Sequence, residues 1–207
     1  MENKRGRLVV LEGVDAAGKT TLCDDLCESL RSNGKPVQRF HFPGKTPGTL
    51  GELVYRIHHH HDDEFDIPSL TPCALQSLHI AAHVDAIESR IAPAVREGAW
   101  VVLDRFWWST YVYGLDAGVL EQSLEHMIQL EKTVWGDLLP DVMFLVDTAT
   151  PLRSDESDSE AWQRKRKLYA ELANRERDSY RCVGIETERG QEARKSALER
   201  ILREVLR

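Results

Sequence analysis

Short apolar runs alternate along the chain with longer segments whose apolar residues recur at helical spacing. The short runs predict buried strands at residues 8–11, 37–42, 101–103, 142–146 and 183–185. The helical spacing predicts helices over residues 20–31, 74–97, 119–134, 160–180 and 192–206, with Pro93 kinking or dividing the longest. Continuous apolar runs are typical of parallel strands that are covered on both faces. The alternation therefore predicts an α/β fold with about five parallel strands and helices on both faces of the sheet.

Composition and charge narrow the class of protein. Of 207 residues, 42% are hydrophobic and 29% are charged, which is ordinary for a globular protein, so we expect one domain over residues 1–207. The 27 Lys+Arg and 34 Asp+Glu give a net charge of -7, which disfavours a nucleic-acid partner. No apolar run is long enough for a signal peptide or a membrane span, and the four cysteines show no zinc spacing. We expect a cytoplasmic protein without a membrane partner.

The strongest motif lies directly after the first predicted strand. The segment Gly13-Val14-Asp15-Ala16-Ala17-Gly18-Lys19-Thr20 fits the pattern G-x-x-x-x-G-K-[ST] and opens a predicted helix. In this pattern, backbone N–H groups and the helix N-terminus bind the phosphates of a nucleoside triphosphate. Lys19 places a cation on the γ-phosphoryl group, and the Thr20 hydroxyl can bind Mg²⁺. The motif predicts a P-loop NTPase-type fold; a glycine-rich turn without a ligand is the alternative.

Four segments resemble the thymidylate kinase family. They are residues 11–21, Phe42-Pro43-Gly44-Lys45, the strand 101–103 with Asp104-Arg105-Phe106-x-x-Ser109, and residues 139–147. The resemblance runs from about residue 7 to the end of the chain, in the family's order and spacing. It implies a nucleoside monophosphate kinase that uses Mg²⁺ and ATP to phosphorylate a small deoxynucleotide, most of all dTMP. It also implies a short lid at about residues 150–168 and a homodimer.

The resemblance assigns the phosphate-handling residues as well. The ATP-binding set is Gly13, Val14, Asp15, Ala16, Ala17, Gly18, Lys19, Thr20 and Thr21. Asp104 would join Thr20 in holding Mg²⁺. Arg105 would clamp the phosphate of the acceptor, which suits the bidentate fork of a guanidinium.

The acceptor pocket is assigned in the same way. Asp15 would accept a hydrogen bond from the sugar 3′-hydroxyl, and Tyr113 would crowd the 2′ position and so select deoxyribose. Phe42 would line the nucleoside pocket, while Ser109 and Thr110 would lie near the base.

Three positions of the acceptor site depart from the family's pattern. Lys45 stands where many members have an arginine on the acceptor phosphate, which keeps the charge but loses the fork. His79 and His83 stand where members have a base-stacking Phe and an Arg that bonds the base edge. One helical turn separates them, so they share a face and can enter one pocket. A different or modified pyrimidine nucleotide or nucleoside is therefore an alternative acceptor; histidines that only support the helix are the other reading.

The catalytic arginine also departs from the pattern. Ala16 stands where some relatives carry an arginine inside the phosphate loop, so the resemblance implies that the lid supplies it, from Arg153, Arg164 or Arg166. The other class of function is a catalytically impaired nucleotide-binding module. The run His58–His61 in a predicted loop suggests adventitious affinity for metals rather than a functional site.

Overall fold

A five-stranded, wholly parallel sheet forms the centre of the molecule. The computed structural model describes residues 5–207, so the first four residues of the expected 1–207 domain lie outside the described residues. The strand order is β2-β3-β1-β4-β5. The strands are β1 Leu8–Glu12, β2 Val37–His41, β3 Trp100–Asp104, β4 Val142–Asp147 and β5 Cys182–Glu186. Each end lies within one residue of its predicted run, which confirms the predicted sheet.

Helices cover the sheet on both sides. They are α1 Lys19–Ser32, α2 Leu50–Phe65, α3 Pro72–Ala86, α4 Ala92–Arg96, α5 Trp107–Asp116, α6 Glu121–Trp135, α7 Glu160–Arg175 and α8 Gln191–Val205. From β1 the chain moves toward one edge of the sheet, and from β4 it moves toward the other. Because parallel crossovers are right-handed, α1 and α7 lie on opposite faces. Within residues 5–207, no helix combines the length and the apolar composition needed to cross a bilayer.

The central strands explain why the functional segments meet. Leu8–Leu11 and Val101–Leu103 are fully buried, because β1 and β3 are covered on both faces. The two strands pair in parallel with Leu11 opposite Asp104. The loop after β1 and the residues after β3 therefore emerge side by side at the carboxyl edge of the sheet, where open α/β sheets bind their ligands.

The structure corrects the prediction for residues 58–61. They lie within helix α2 rather than in a loop. Thr49 caps this helix, and its hydroxyl accepts a hydrogen bond from the Glu52 N–H at 3.2 Å. The sequence pattern misses the helix because a run of histidines interrupts the apolar spacing. Helix α5, which follows Arg105, was not predicted either.

Two predicted helices have different bounds from those expected. The predicted helix 74–97 consists of α3, a π-helical turn over Ile87–Ile91 and α4. Pro93 has no N–H to donate to the preceding turn, and the wider π-turn lies just ahead of it, as expected for a divided helix. The predicted helix 160–180 ends at Arg175, and the chain then turns so that Tyr180 is buried in the core.

Candidate active site

The phosphate loop joins β1 to α1 and has no room for side chains at its first glycine. Gly13 has φ +140°, and a Cβ there would lie 2.1 Å from the carbonyl oxygen of Val146 on β4. Only glycine allows this approach. Gly18, with φ +88°, turns the chain directly into α1. The loop is therefore held against the sheet with the N-terminus of α1 beside the cavity.

Lys19 is held under the loop as a buried cation. Its side chain is 5% exposed, and its Nζ donates to the Val14 carbonyl oxygen at 2.8 Å. Burial and the nearby Arg105 guanidinium lower the pKa of Lys19 to about 8, against the opposing effect of Asp15 and Asp104. This ammonium lies where the motif places a cation for the phosphates.

Asp104 forms a polar cluster at the end of β3. Its Oδ2 accepts hydrogen bonds from Thr20 Oγ1 at 2.7 Å and from Arg39 at 3.3 Å, and it lies 3.1 Å from His41 Nδ1. Burial raises the pKa of the Asp104 carboxyl, but His41, Lys19 and Thr20 outweigh that effect and lower it. The other oxygen, Oδ1, is buried without a partner.

That partnerless oxygen is the observation that fits a divalent cation. A buried carboxylate oxygen without a hydrogen bond is costly unless another group satisfies it. The adjacent Thr20 hydroxyl adds a second oxygen ligand, and oxygen ligands of this kind suit Mg²⁺. Thr20 and Asp104 are thus chemically suited to hold the ion. Among the described residues, no group of three or more His, Cys, Asp or Glu side chains forms a metal site.

Arg105, Asp15 and Tyr113 form a second polar cluster in the cavity. The guanidinium of Arg105 and the hydroxyl of Tyr113 both donate to the Asp15 carboxylate, and Arg105 also donates to Ser109 Oγ at 3.0 Å. Burial raises the pKa of Asp15, but Arg105, Lys19 and Tyr113 outweigh it and lower the pKa to about 2. Arg105 adopts φ +84°, a left-handed conformation that is uncommon outside glycine.

Glu12 joins the phosphate loop to the segment that follows Arg105. No role was assigned to it from the sequence. It is fully buried at the end of β1. Its Oε1 accepts from the backbone N–H groups of Phe106 at 2.7 Å and Ser109 at 2.9 Å, and its Oε2 accepts from Ser109 Oγ at 2.9 Å. Burial raises the pKa of Glu12, against the effect of Arg105 and Lys19. The sequence feature that could have identified Glu12 is its position directly before the first glycine of the motif.

The predicted base pocket contains both histidines, in different settings. His83 stacks on Phe42, with ring centroids 4.0 Å apart, and its Nδ1 lies 2.7 Å from Oε2 of Glu131. The ring of His79 meets His58 of α2, with 3.2 Å between the two ring nitrogens. Burial and the neighbouring histidines lower the pKa of His79 to about 3, so its ring is neutral. His58 and His59 of α2 therefore line this pocket together with His79.

The lid segment (residues 150–168) touches the phosphate loop directly. The N–H of Leu152 donates to the Ala16 carbonyl oxygen at 2.8 Å, and Trp162 Nε1 donates to that of Asp15 at 2.9 Å. The backbone of Arg153 is thereby placed at the cavity. Arg164 lies outside the cavity and binds Asp116 at 2.6 Å, while Arg166 forms a bidentate pair with Asp147 at 2.6 and 2.7 Å.

A single cavity of about 1610 Å³ brings together most of the residues singled out from the sequence. All ATP- and acceptor-binding residues line it except Gly13, Val14 and Ala17, which are the buried residues of the phosphate loop. Lys45 lines it too, with its Nζ 4.0 Å from the centre of the Tyr55 ring. Asp104 lies directly behind Thr20, whereas the lid candidates Arg164 and Arg166 do not line the cavity.

Comparison with known proteins gives a consistent result. The family model described as thymidylate kinase matches residues 11–197. A thymidylate kinase of Paraburkholderia xenovorans is 32% identical over 200 residues, which cover 88% of this chain and 90% of the relative. One from Chlorobium chlorochromatii is 35% identical over 141 residues; this match covers 68% of this chain and 59% of that relative's length.

The fold agrees with a solved structure. The crystal structure of a thymidylate kinase from Ehrlichia chaffeensis superposes with a TM-score of 0.76 at 23% sequence identity. The superposition covers 98% of this chain and 100% of that one. The two molecules thus share their fold over nearly the whole of both chains.

Proposed function

The chain belongs to the thymidylate kinase family of nucleoside monophosphate kinases, and on that premise we propose that it transfers the γ-phosphoryl group of ATP to dTMP. The observation that carries the proposal is one cavity that joins two anion-handling clusters. One is the phosphate loop with Lys19, and the other is Arg105 with Asp15 and Tyr113. Two phosphorylated substrates can therefore meet end to end.

The phosphate loop is proposed to hold the triphosphate. Residues Gly13–Thr21 would surround the phosphates with backbone N–H groups, and Lys19 would bind the γ-phosphoryl oxygens. Thr20 and the partnerless oxygen of Asp104 would hold Mg²⁺, which would neutralise charge on the phosphates when bound.

The second cluster is proposed to hold the acceptor. Arg105 would bind the acceptor phosphate with its planar fork, with Lys45 adding a second positive charge at the same end. Asp15 would accept from the 3′-hydroxyl, and the ring of Tyr113 would exclude a 2′-hydroxyl. Phe42, Ser109 and Thr110 would surround the base.

The chemistry is an in-line displacement at the γ-phosphorus. An oxygen of the acceptor phosphate forms a bond to this phosphorus as its bond to the β-phosphate oxygen breaks, so ADP leaves with the bonding pair. The protein contributes position and positive charge rather than a covalent intermediate. Arg153, the lid arginine at the cavity, is proposed to add the final cation as the lid excludes water.

A second candidate acceptor is a different pyrimidine nucleotide or nucleoside. The specific observation in its favour is that His79 and His83 line the base pocket where relatives carry Phe and Arg. The expected homodimer, single domain and cytoplasmic location stay predictions. The family resemblance supports the first two, and four free cysteines agree with a reducing compartment.

A panel of acceptors tests the proposal by ADP release. Purified protein with Mg²⁺ and ATP is offered dTMP, dUMP, dCMP, dTDP and thymidine, and Lys19→Met serves as the matched inactive control. We expect dTMP to give the highest kcat/KM and the control to lose activity. Turnover of thymidine alone would show a nucleoside kinase, and ATP binding without transfer to any acceptor would show a nucleotide-binding module. Full activity of Lys19→Met would contradict the proposed mechanism.

A further inference from the structure

Two buried aromatic side chains of helix α7 are hydrogen-bonded to the residues that hold Arg105. Trp162 and Tyr169 are each 1% exposed. Trp162 Nε1 donates to the carbonyl oxygen of Asp15 at 2.9 Å, and the Tyr169 hydroxyl lies 2.8 Å from Ser109 Oγ. Asp15 and Ser109 are the residues to which the guanidinium of Arg105 donates. Helix α7 is therefore bonded to both partners of this arginine.

The spacing of the two aromatic residues explains how one helix makes both contacts. Trp162 and Tyr169 are about two helical turns apart, so they lie on the same face of α7. Lys167, between them in the chain, has a side chain that is 78% exposed and lies on the solvent side. The buried face of α7 thus carries polar atoms, an indole N–H and a phenol hydroxyl, where apolar rings would be enough for packing alone.

The Ser109 hydroxyl is the atom on which three groups of the site converge. Its Oγ donates to Glu12 Oε2 at 2.9 Å and accepts from Arg105 Nη1 at 3.0 Å. A hydroxyl offers one proton and two lone pairs. The Tyr169 hydroxyl takes the one position that remains, so every hydrogen-bonding position of Ser109 is used. Without the phenol hydroxyl, one of these positions is unfilled and the serine side chain is less firmly held.

The backbone of Arg105 makes the arginine dependent on such support. Its φ of +84° lies in the left-handed region, and a residue keeps this conformation when its surroundings hold it there. The Arg105 N–H donates to the Leu11 carbonyl oxygen at 3.0 Å, which fixes the backbone to β1. The direction of the guanidinium is then set by its side-chain partners, Asp15 and Ser109.

Tyr169 can act on a ligand only through Ser109. Ser109 and Arg105 line the cavity, whereas Tyr169 does not. Within residues 5–207, Ser109 is the one hydrogen-bond partner of the Tyr169 hydroxyl. Burial, together with the nearby Glu12 and Tyr113, raises the pKa of Tyr169 well above its usual value, so the group is a neutral hydroxyl.

We propose that Tyr169 is a positioning residue of the acceptor site, whose hydroxyl holds Ser109 and, through Ser109, keeps the guanidinium of Arg105 in the orientation that binds the acceptor phosphate. This rests on the proposed function, in which Arg105 binds that phosphate. Helix α7 thereby contributes to acceptor affinity without touching the acceptor. The opposing interpretation is that Tyr169 only packs α7 against the core, a task that a phenylalanine ring performs equally well.

Tyr169→Phe tests the proposal because it removes the hydroxyl and keeps the ring. Calorimetry measures binding of dTMP and, separately, of ADP with Mg²⁺, so no phosphoryl transfer is involved. We expect the dissociation constant for dTMP to rise about three- to tenfold, the scale of one hydrogen bond. The dissociation constant for ADP should change by less than about twofold, since the phosphate loop holds ADP. Unchanged dTMP affinity, or an equal loss for both ligands, overturns the proposal.

Tyr180→Phe is the matched control. Tyr180 is also a buried tyrosine, 6% exposed, and its hydroxyl accepts from Trp107 Nε1 at 3.3 Å. This variant loses one buried hydroxyl that has no bond to Ser109 or Arg105. We expect it to bind dTMP as the wild-type protein does. A loss of dTMP affinity in Tyr180→Phe as large as that in Tyr169→Phe overturns the proposal, because it would be a general effect of loosening the core.

A double-mutant cycle with Ser109→Ala tests the route of the effect. If Tyr169 acts through Ser109, the double variant should bind dTMP no more weakly than Ser109→Ala alone. Two losses that multiply would mean a different route and overturn the proposal. The calorimetric stoichiometry counts the folded sites, so partial misfolding does not distort the dissociation constants.

The wild-type titration separates this inference from the proposed function. No binding of dTMP by the wild-type protein would overturn the proposed function, and this inference with it. Wild-type binding of dTMP that Tyr169→Phe leaves unchanged overturns the inference alone.

Discussion

The lowered pKa of the buried Lys19 affects how ATP binding depends on pH. Burial and Arg105 lower the pKa of Lys19 to about 8, so in mildly alkaline solution the Lys19 amine is neutral in a large fraction of the molecules. Phosphate oxygens favour the ammonium form and raise this pKa on binding. Between the two pKa values, the complex holds a proton that the free protein lacks. ATP binding is therefore linked to proton uptake above about pH 8.

We expect the dissociation constant for ATP to rise above about pH 8, by at most about tenfold per pH unit. Calorimetry at about pH 8.5 in two buffers of different ionisation enthalpy should show uptake of a substantial fraction of one proton. Lys19→Arg is the matched control, because its guanidinium stays charged and should take up none. The same proton uptake in wild type and Lys19→Arg would exclude Lys19 as the source.

Individual residues differ in how far the sequence predicts them. Lys19, Thr20, Asp104 and Arg105 follow from local motifs, because a short segment between a strand and a helix fixes their positions. Glu131 had no such signal. Its partner, His83, is 48 positions away in the chain, and the contact exists only after α3 and α6 pack together.

At the level of elements, the carboxylate of Glu12 at the end of β1 holds the start of α5 by hydrogen bonds. Glu12 accepts from the N–H groups of Phe106 and Ser109 at the start of α5, where the helix dipole also favours a negative charge. The same residue precedes the phosphate loop. Arg105 lies between these two attachments, so its position depends on both.

Glu12→Gln should disturb both ends of this connection. The amide keeps one acceptor oxygen and loses the other, so the free energy of unfolding should fall by about 1–3 kcal/mol. We expect kcat/KM for the acceptor to fall as well, because Arg105 is no longer held in place. Urea unfolding and steady-state kinetics measure the two effects. Exposed Glu125→Gln is the matched control, and an effect no larger than that control's would contradict this role of Glu12.

Elements were predicted well where burial sets the pattern. All five strands are apolar runs covered on both faces, and their ends fall within one residue of prediction. Helix α2 was missed because most of its residues are exposed and its histidines break the apolar spacing. The end of α7 was placed five residues too late, because Tyr180 continues the helical pattern but is used in the core instead.

At the level of the whole molecule, the lid segment contacts the phosphate loop, which lies far earlier in the chain. Leu152 and Trp162 both bond to the phosphate loop, and Arg153 is thereby placed at the cavity. Its ion pair with Asp155 is between exposed side chains, and such pairs are weak. Arg153 can therefore leave Asp155 for a phosphate at little cost, whereas Arg164 is bound to the half-buried Asp116.

Arg153→Met should lower kcat for phosphoryl transfer by about a hundredfold or more, the scale of a cation at the transferring phosphoryl group. Arg164→Met is the matched control and should change kcat by less than about twofold, since Arg164 binds Asp116 outside the cavity. Steady-state kinetics with dTMP and ATP measure both variants. A larger loss in Arg164→Met than in Arg153→Met would move the catalytic role to α7.

The contact of Trp162 with the phosphate loop has a consequence for optical measurements. The other four tryptophans lie in β3 and in helices α5 and α6, outside residues 150–168. Trp162 alone is carried by the lid segment, and its indole is almost fully buried while it donates to Asp15. Any outward movement of the lid would transfer this one indole from a dry, hydrogen-bonded site into water. Trp162 would therefore report, by its own fluorescence, a movement of residues 150–168 away from the phosphate loop.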